Sequence, residues 1–400
     1  MKFKDSLFSI FFCIYVYWPS LMFAVLGENG MELDGGLMRS TLTVIFAVSC
    51  LFFFLYKISK RDIKIISILV LFGILYYITQ YFYSIGNVQG YQGQFLRWGA
   101  DCVSACLIGI SLMKLKSYKL VHRLMPILSI ALTPLFVKST MENAALSGQM
   151  HLEGGMNYQT VAYTLAVMFC VSLYYAIVNK EFSNKLIRIV SLLCLPFQAV
   201  ACCMSGGRGG VVLLVVYIVV MLYIMQYNKI VSKKKVMFIA LLGFCVFIIA
   251  ANHLDLWNSA GFIRSSGLVQ DQDRFDLWKG IWAYVEKNNY IGYGLGGDYF
   301  TFGFYTHNIF LDFILETGIV GSIFLISIFY NVYKTIFKKC TVNNIFILLA
   351  IIGIYGVVMN LFSGYWITTY AHWMILGASV TSKKMARFEV NTSSNNYKLT

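Results

Sequence analysis

Apolar runs separated by short polar segments set the pattern of this chain. Most runs approach the roughly 20 residues that a helix needs to cross the hydrocarbon core of a bilayer. The fifth run is short and contains Pro126 and Pro134, which a helix tolerates better in a bilayer than in water. The pattern predicts twelve transmembrane helices, at 7–26, 40–56, 65–84, 95–113, 124–137, 160–178, 189–204, 211–227, 236–252, 308–330, 344–362 and 367–380.

Composition agrees with this pattern and excludes the common soluble classes. The chain is 58% hydrophobic and 12% charged, which is about half the charged fraction of a soluble protein. Its formal charge of +14 is spread over small basic clusters between apolar runs, unlike the continuous basic surface of a nucleic-acid-binding protein. The ten cysteines show neither the spacing of a disulfide framework nor a CxxC zinc pattern. We therefore expect an all-α integral membrane protein, with 1–400 as a single polytopic domain.

Lysine and arginine assign the loops to two sides of the membrane. Both termini and alternate loops together hold 24 of the 32 basic residues; these loops lie near 57–64, 114–123, 179–188, 228–235 and 331–343. By the positive-inside rule these segments are cytoplasmic. The two largest outer loops are then 138–159 and 253–307. Because the cytoplasmic loops leave no domain for ATP or a nucleotide sugar, we expect any chemistry at the outer face.

A glycine-rich turn, Ser205-Gly-Gly-Arg208-Gly-Gly210, joins the predicted seventh and eighth spans at the outer face. Glycines let backbone N–H groups approach a ligand closely, and a fixed guanidinium suits a phosphate. The turn therefore predicts an anion site at Arg208. The alternative is a tight turn with one snorkelling arginine. The segment is not a P-loop, because the GxxxxGK[ST] order is absent.

The long outer loop predicts an amphipathic helix in the membrane interface. Arg274 lies one turn before Trp278, along the apolar face, where a lipid phosphate would be. The alternative is an ordinary interfacial helix with a solvated arginine. Asp271 or Asp273 is expected to cap the helix, in preference to binding a metal. The apolar face consists of Phe275, Trp278, Ile281, Trp282 and Val285.

Polar residues gather where the long loop meets the tenth span. Asn308, Asp312 and Glu316 recur every four residues. One buried charge costs about 3 kcal/mol, so two carboxylates on one face imply a wet cavity or polar partners. His307, at the mouth of such a cavity, is a candidate base for a sugar hydroxyl. The alternative is a structural histidine, with Thr306 or Asn308 as an ordinary helix cap.

Three further features of the sequence concern charged, glycine and amide residues. Arg97 and Asp101, four residues apart in the fourth span, form either a structural intramembrane pair or part of the same cavity. The Gly292–Gly297 run is interpreted as a flexible turn. Gln80 and Gln198 are single polar residues within spans and receive no role.

The order of these motifs resembles the O-antigen polymerase and ligase superfamily, integral-membrane glycosyltransferases with a GT-C-like arrangement. The segment from Gly154 through Asn157 and Tyr158 to Gln159 is similar to the family's Asn-Tyr-Gln segment. The glycine-rich turn resembles its Ser-x-x-Arg-Gly turn. The family's long outer-loop signature is matched by four segments of this chain: Arg274-x-x-x-Trp278, Gly292-Tyr-Gly294, His307-Asn308 and Glu316-x-Gly318-x-x-Gly321. The resemblance covers about residues 150–325.

The resemblance implies transfer of a glycan from undecaprenyl diphosphate at the outer face of the bacterial inner membrane, without cofactor, metal or nucleic acid. Arg208 and Arg274 would hold the diphosphate and stabilise its charge as it leaves. His307 would orient or deprotonate the acceptor hydroxyl, giving inversion at the anomeric carbon. Asp312 or Glu316 is a candidate to orient His307. Further substrate contacts are expected from Arg97, Asp101, Asn157, Gln159, Arg264, Asn308, Asp312 and Glu316.

Three functions stay open at this point. A polymerase would use a lipid-linked repeat unit as acceptor, whereas a ligase would use the lipid A–core oligosaccharide. By resemblance, the glycine-rich turn and the Asn-Tyr-Gln segment favour the polymerase. A flippase or transporter is the alternative of another class, but its binding residues should cluster at the midplane. The expected partners are the lipid-linked donor and acceptor and membrane lipids, with a chain-length regulator as a candidate.

Overall fold

The regular secondary structure is all helical, without strands, in the part of the chain that the computed structural model describes. These residues are 3–18, 20–21, 102–144, 158–179, 184–227, 272–294, 306–340, 345–367 and 369–382, with scattered positions between 44 and 78 and between 232 and 258. In chain order the helices are α1 (Phe3–Val16), α2 (Ser104–Leu112), α3 (Lys119–Ala144), α4 (Tyr158–Leu173), α5 (Lys185–Met204), α6 (Arg208–Tyr227), α7 (Gln272–Lys287), α8 (Ile309–Lys338), α9 (Ile345–Phe362) and α10 (370–382). The helical class is confirmed.

Six helices among the described residues are long and apolar enough to cross a membrane. They correspond to predicted spans five to eight, ten and eleven. The fifth span, predicted at 124–137, is longer than expected and covers 23 residues. The other six predicted spans lie partly outside the described residues, so a total of twelve stays a prediction. The bounds are Lys119–Met141, Tyr158–Val178, Lys185–Met204, Arg208–Tyr227, Ile309–Lys338 and Ile345–Phe362.

The chain divides into two compact units. The first comprises Met1–Met38, Ser117–Phe275 and Cys340–Ser363, and it contains the glycine-rich turn. The second comprises the intervening segments Arg39–Lys116, Asp276–Lys339 and Gly364–Thr400, and it contains His307.

Helices α3, α4 and α5 of the first unit meet at a buried polar cluster. The Gln198 amide donates to Thr133 Oγ1 at 2.7 Å and to Ser172 Oγ at 3.1 Å. All three side chains are buried. Interhelical hydrogen bonds of this kind contribute on average about 0.6 kcal/mol each in membrane proteins. Gln198, which had no role in the sequence, therefore joins three helices of the first unit.

Asp62 joins three segments of the second unit near the predicted cytoplasmic side. Its carboxylate accepts from the backbone N–H and hydroxyl of Ser59, both at 2.8 Å, and its own N–H returns a bond to Ser59 Oγ. This is a capping box. Lys114 Nζ donates at 2.6 Å and Thr381 Oγ1 at 3.2 Å. Burial alone would raise the pKa of Asp62, but the bonds from Lys114 and Ser59 outweigh it and hold this pKa below its ordinary value.

Helix α8 is interrupted at Gly318, whose φ of 67° and ψ of −174° lie outside the helical region. The segment that follows α7 docks into this break. Tyr293 N donates to Leu315 O at 2.7 Å, and Gly294 N donates to Glu316 O at 2.8 Å. Inside a bilayer, broken backbone needs such internal partners. The expected flexible turn at Gly292–Gly297 is therefore, over its described residues 292–294, a docked segment.

Candidate functional site

Arg208 is the first residue of α6, next to backbone N–H groups that have no partner within the helix. Gly206 turns the chain into this helix with φ 82°. A helix N-terminus carries partial positive charge, and the half-buried guanidinium adds a full charge at the same place. The two features together favour an anion beside Arg208.

Close helix packing explains the other glycines of this turn. A Cβ on Gly210 would lie 2.6 Å from the carbonyl carbon of Ala162, on α4. A Cβ on Gly207 would meet the Ala162 methyl group, and one on Gly209 would meet the Tyr163 hydroxyl. These glycines are thus required for the contact between α4 and α6. The sequence interpretation, which used them as a sign of ligand approach, is replaced: an anion site depends on Arg208 and its surroundings.

A small polar pocket opens beside Arg208 in the first unit. Its volume is about 40 Å³, whereas a water molecule needs roughly 10–15 Å³ of such space. It therefore has room for about three waters. The pocket is lined by Tyr158, Gln159, Tyr163, Gly206, Arg208, Gly209, Phe362 and Ser363.

The pocket brings together residues from distant parts of the chain. Gln159 and Arg208, which the sequence analysis took from two separate motifs, line it together. Gln159 Nε2 donates to the Tyr158 hydroxyl at 3.3 Å. Ser363 Oγ donates to the Tyr163 hydroxyl at 3.0 Å. Sequence reasoning missed Tyr163 and Ser363, because a lone Tyr or Ser next to an apolar run carries no signal.

Asn308 begins α8 as its N-cap. Its side-chain oxygen accepts from Phe310 N at 3.0 Å and from Leu311 N at 3.4 Å, and its backbone is extended. This confirms the capping interpretation for Asn308. Thr306, the other capping candidate, has a different role, because its hydroxyl donates to the carboxylate of Asp312.

His307 lies between these two residues in a left-handed backbone conformation, with φ 56°. For a residue with a Cβ this conformation costs about 1–2 kcal/mol. Such outliers persist only where neighbours hold them, and they cluster at active sites. The neighbours here are the buried Thr306 and Asp312, which are 1% and 0% exposed. Asn289 and Tyr290 also have a positive φ, 49° and 61°, so the backbone alone does not single out His307. Its imidazole and its position beside the buried Thr306 and Asp312 make it the functional candidate of the second unit.

Glu316, one turn beyond Asp312, has its own buried partners. Its carboxylate accepts from the Tyr365 hydroxyl and from Trp366 Nε1, the latter at 3.1 Å. From the sequence, two carboxylates in one span implied either a water-filled cavity or polar partners. Both carboxylates have polar partners in the structure. Tyr365 and Trp366 were missed, because they lie about 50 residues beyond Glu316 along the chain.

The amphipathic helix α7 extends over Gln272–Lys287, as the pattern predicted. Its apolar face packs against protein more than the prediction allowed. Ile281 and Val285 are buried with Leu315 of α8, and Trp278 packs against this cluster. Trp282 keeps 40% of its surface exposed. The Ile281 edge is therefore attached to α8, and an interfacial position stays a prediction for the exposed Trp282 edge.

Several predicted site residues cannot be placed. The side chains of Arg274, Asp271 and Asp273 lie outside the described residues, although the backbone of Arg274 is helical within α7. The same holds for the whole of Arg97, Asp101, Asn157 and Arg264. Their roles stay predictions.

Comparison with known proteins bears on the segment that holds these features. The family model described as O-antigen ligase matches residues 189–326, about a third of the chain. The match supports the O-antigen polymerase and ligase superfamily. The resemblance is thereby confirmed over these residues, a range that includes Arg208, Arg274, His307 and Glu316. Neither a curated protein nor a solved structure matches the chain. A superfamily of this kind implies lipid-linked glycan substrates and a membrane location, in agreement with the six apolar helices.

Proposed function

We propose that this protein is a polymerase of O-antigen or a related surface polysaccharide. It transfers the growing glycan from undecaprenyl diphosphate to a lipid-linked repeat unit at the outer face of the inner membrane. The observation that supports a glycan transferase is the position of His307, whose positive φ is held between Thr306 and the Asn308 cap inside the family-matched segment. The choice of a polymerase rests on the resemblance of the glycine-rich turn and the Asn-Tyr-Gln segment.

In the proposed reaction a hydroxyl oxygen of the acceptor attacks the anomeric carbon of the donor. The bond from that carbon to the diphosphate oxygen breaks, and its electron pair leaves with the diphosphate. His307 accepts the proton of the acceptor hydroxyl as the new glycosidic bond forms. Direct displacement inverts the anomeric carbon and requires no metal, nucleotide or other cofactor.

The leaving diphosphate needs cations that are already in place. We assign one of its phosphates to the Arg208 pocket, because this polar pocket combines a guanidinium with the N-terminus of α6. Arg274 is the second proposed cation. Gln159 is the neutral contact proposed from the same pocket.

A ligase is the second candidate, and the family match supports it equally. The chemistry at the donor is then unchanged, and only the acceptor differs, being the lipid A–core oligosaccharide.

Deletion of the gene separates the candidates through the surface glycan and the lipid-linked pool. A surface with single repeat units supports the polymerase, whereas bare core with long polymer left on the carrier supports the ligase. Repeat units trapped on the inner leaflet would indicate a flippase and refute both transferases. Complementation with His307→Ala or Arg274→Ala should fail at unchanged protein abundance. A loss of protein instead would assign these residues to folding.

A further inference from the structure

A closed set of hydrogen bonds surrounds the backbone of His307. The Thr306 hydroxyl has two acceptors within reach, the Asp312 carboxylate, which is the nearer, and the Asn308 carbonyl at 3.0 Å. The N–H of Asn308 donates to Thr306 Oγ1 at 3.2 Å. The N–H of Asp312 donates to the carbonyl of Asn308 at 2.9 Å, which closes the set. His307 is thus flanked on both sides by residues that are tied to one another.

We infer that Thr306 and Asp312 are positioning residues for His307, which act through its backbone. This inference rests on the proposed role of His307 as the base. It differs from direct orientation of the imidazole by a carboxylate, which spacing alone had suggested. Here the carboxylate fixes the residue before His307, and the direction of the imidazole follows from the backbone.

The left-handed conformation explains why the backbone of His307 needs such support. Without it, a residue with a Cβ relaxes towards the extended or right-handed helical region, because both are lower in energy. A change of φ from 56° to a negative value rotates the Cα–Cβ bond and therefore moves the whole imidazole. Misplacement of a catalytic group by about 1 Å can cost about 100-fold in rate.

Burial makes the Thr306–Asp312 bond suited to this task. Both side chains are almost fully inaccessible, so water does not compete for the carboxylate. A bond to a carboxylate is roughly twice as strong as one between neutral groups. Asp312 also lies in the first turn of α8, where the helix dipole favours a negative charge. The carboxylate is therefore fixed by the helix, and Thr306 is fixed by the carboxylate.

The test compares Thr306→Val with Thr306→Ser in the full-length protein. Valine keeps the shape of threonine and lacks the hydroxyl, whereas serine keeps the hydroxyl. The substrate is the lipid-linked glycan that accumulates in the deletion strain, extracted and supplied in detergent. We expect Thr306→Val to lower the maximal rate about 10- to 100-fold without changing the half-saturating substrate concentration, since substrate binding by other residues is intact. Thr306→Ser should retain most of the rate.

Three outcomes separate the inference from the proposed function. Full activity of His307→Ala would refute His307 as the base, and the inference with it. An inactive His307→Ala beside a fully active Thr306→Val would overturn the inference alone. Equal losses in Thr306→Ser and Thr306→Val would show that packing rather than the hydroxyl matters, which also overturns it.

Asp312→Asn tests the same hydrogen bond if Thr306→Val does not fold. Asparagine keeps the shape and one acceptor oxygen but lacks the charge, so the bond from Thr306 is weaker. We expect a rate clearly below that of the parent protein, at an unchanged half-saturating concentration and an unchanged elution volume of the purified protein. A rate equal to that of the parent would contradict the inference.

Discussion

Gly292 and Gly318 approach so closely that a Cβ on Gly292 would lie 2.5 Å from the amide nitrogen of Gly318. The contact lies where the segment after α7 docks into the break of α8. Ile319 N donates to Tyr290 O at 3.1 Å on the far side of that break. The helix of the long loop is thereby attached to the span that carries Asp312 and Glu316.

Alanine at either glycine should destabilise the protein. Both have a positive φ, 92° at Gly292 and 67° at Gly318, and the Gly318 conformation is essentially restricted to glycine. We expect each substitution to cost at least about 2 kcal/mol of unfolding free energy, seen as a lower thermal midpoint in detergent. Gly280→Ala on α7 is the control, because a Cβ there meets nothing within 4 Å. The control should stabilise by about 0.5–1 kcal/mol, and equal effects at all three positions would contradict the docked geometry.

Arg208→Gln should lower the transfer rate without lowering the thermal midpoint, whereas Gly210→Ala should lower the thermal midpoint. Glutamine removes the charge of a half-buried side chain, so the thermal midpoint should change little while the rate falls at least about 10-fold through lost charge stabilisation. Alanine at Gly210 clashes with the backbone of Ala162 and should lower the thermal midpoint strongly. The measurement is the thermal midpoint and the transfer rate of both variants. Normal transfer by Arg208→Gln would remove Arg208 from the proposed site.

The helical class and six spans could be predicted from the sequence, since long apolar runs have few other solutions. The break at Gly318 could not, because it depends on bonds from Tyr293 and Gly294, more than 20 residues earlier. The presence of a glycine in the sequence also does not say why a glycine is needed there. The glycines of the Arg208 turn are compatible with close ligand approach and with close helix packing, and only the position of Ala162 beside them in the structure favours packing.

For the candidate site, too, the sequence predicted which residues share a helix face but not which residues they contact. A four-residue spacing correctly placed Asp312 and Glu316 in one buried stripe, because helical periodicity determines which residues share a face. It could not distinguish their partners. Thr306 lies six residues before Asp312, whereas Tyr365 lies 49 residues after Glu316, a separation that only the tertiary fold can set.

The Asp62–Lys114 pair should make stability depend on pH in a narrow range. Because the pKa of Asp62 is lowered in the folded state, the contribution is fully present above the unfolded value, near pH 4, and is lost as the pH falls through the folded pKa. Lys114→Met should cost about 2 kcal/mol at neutral pH, since among the described residues it leaves the buried carboxylate with neutral partners. Without Lys114 the folded-state pKa of Asp62 is higher than in the parent, so the thermal midpoint difference from the parent should narrow as the pH falls through the Asp62 pKa of the variant and be smallest below the lowered pKa of the parent. A midpoint difference that does not change between about pH 8 and about pH 3 would show that Lys114 does not lower the Asp62 pKa.

Glu316 and Tyr365 should be energetically coupled, because the hydroxyl of one donates to the buried carboxylate of the other. Glu316→Gln and Tyr365→Phe each remove or weaken this bond, and the double variant loses it only once. We expect each single variant to cost about 1.5–3 kcal/mol, and the double-mutant cycle from thermal or denaturant unfolding to give a coupling of about 1–2 kcal/mol. Tyr330→Phe on α8 is the control partner, since Tyr330 is 60% exposed and should add its effect independently. Additivity of Glu316→Gln with Tyr365→Phe would show that the Tyr365 hydroxyl does not stabilise the carboxylate.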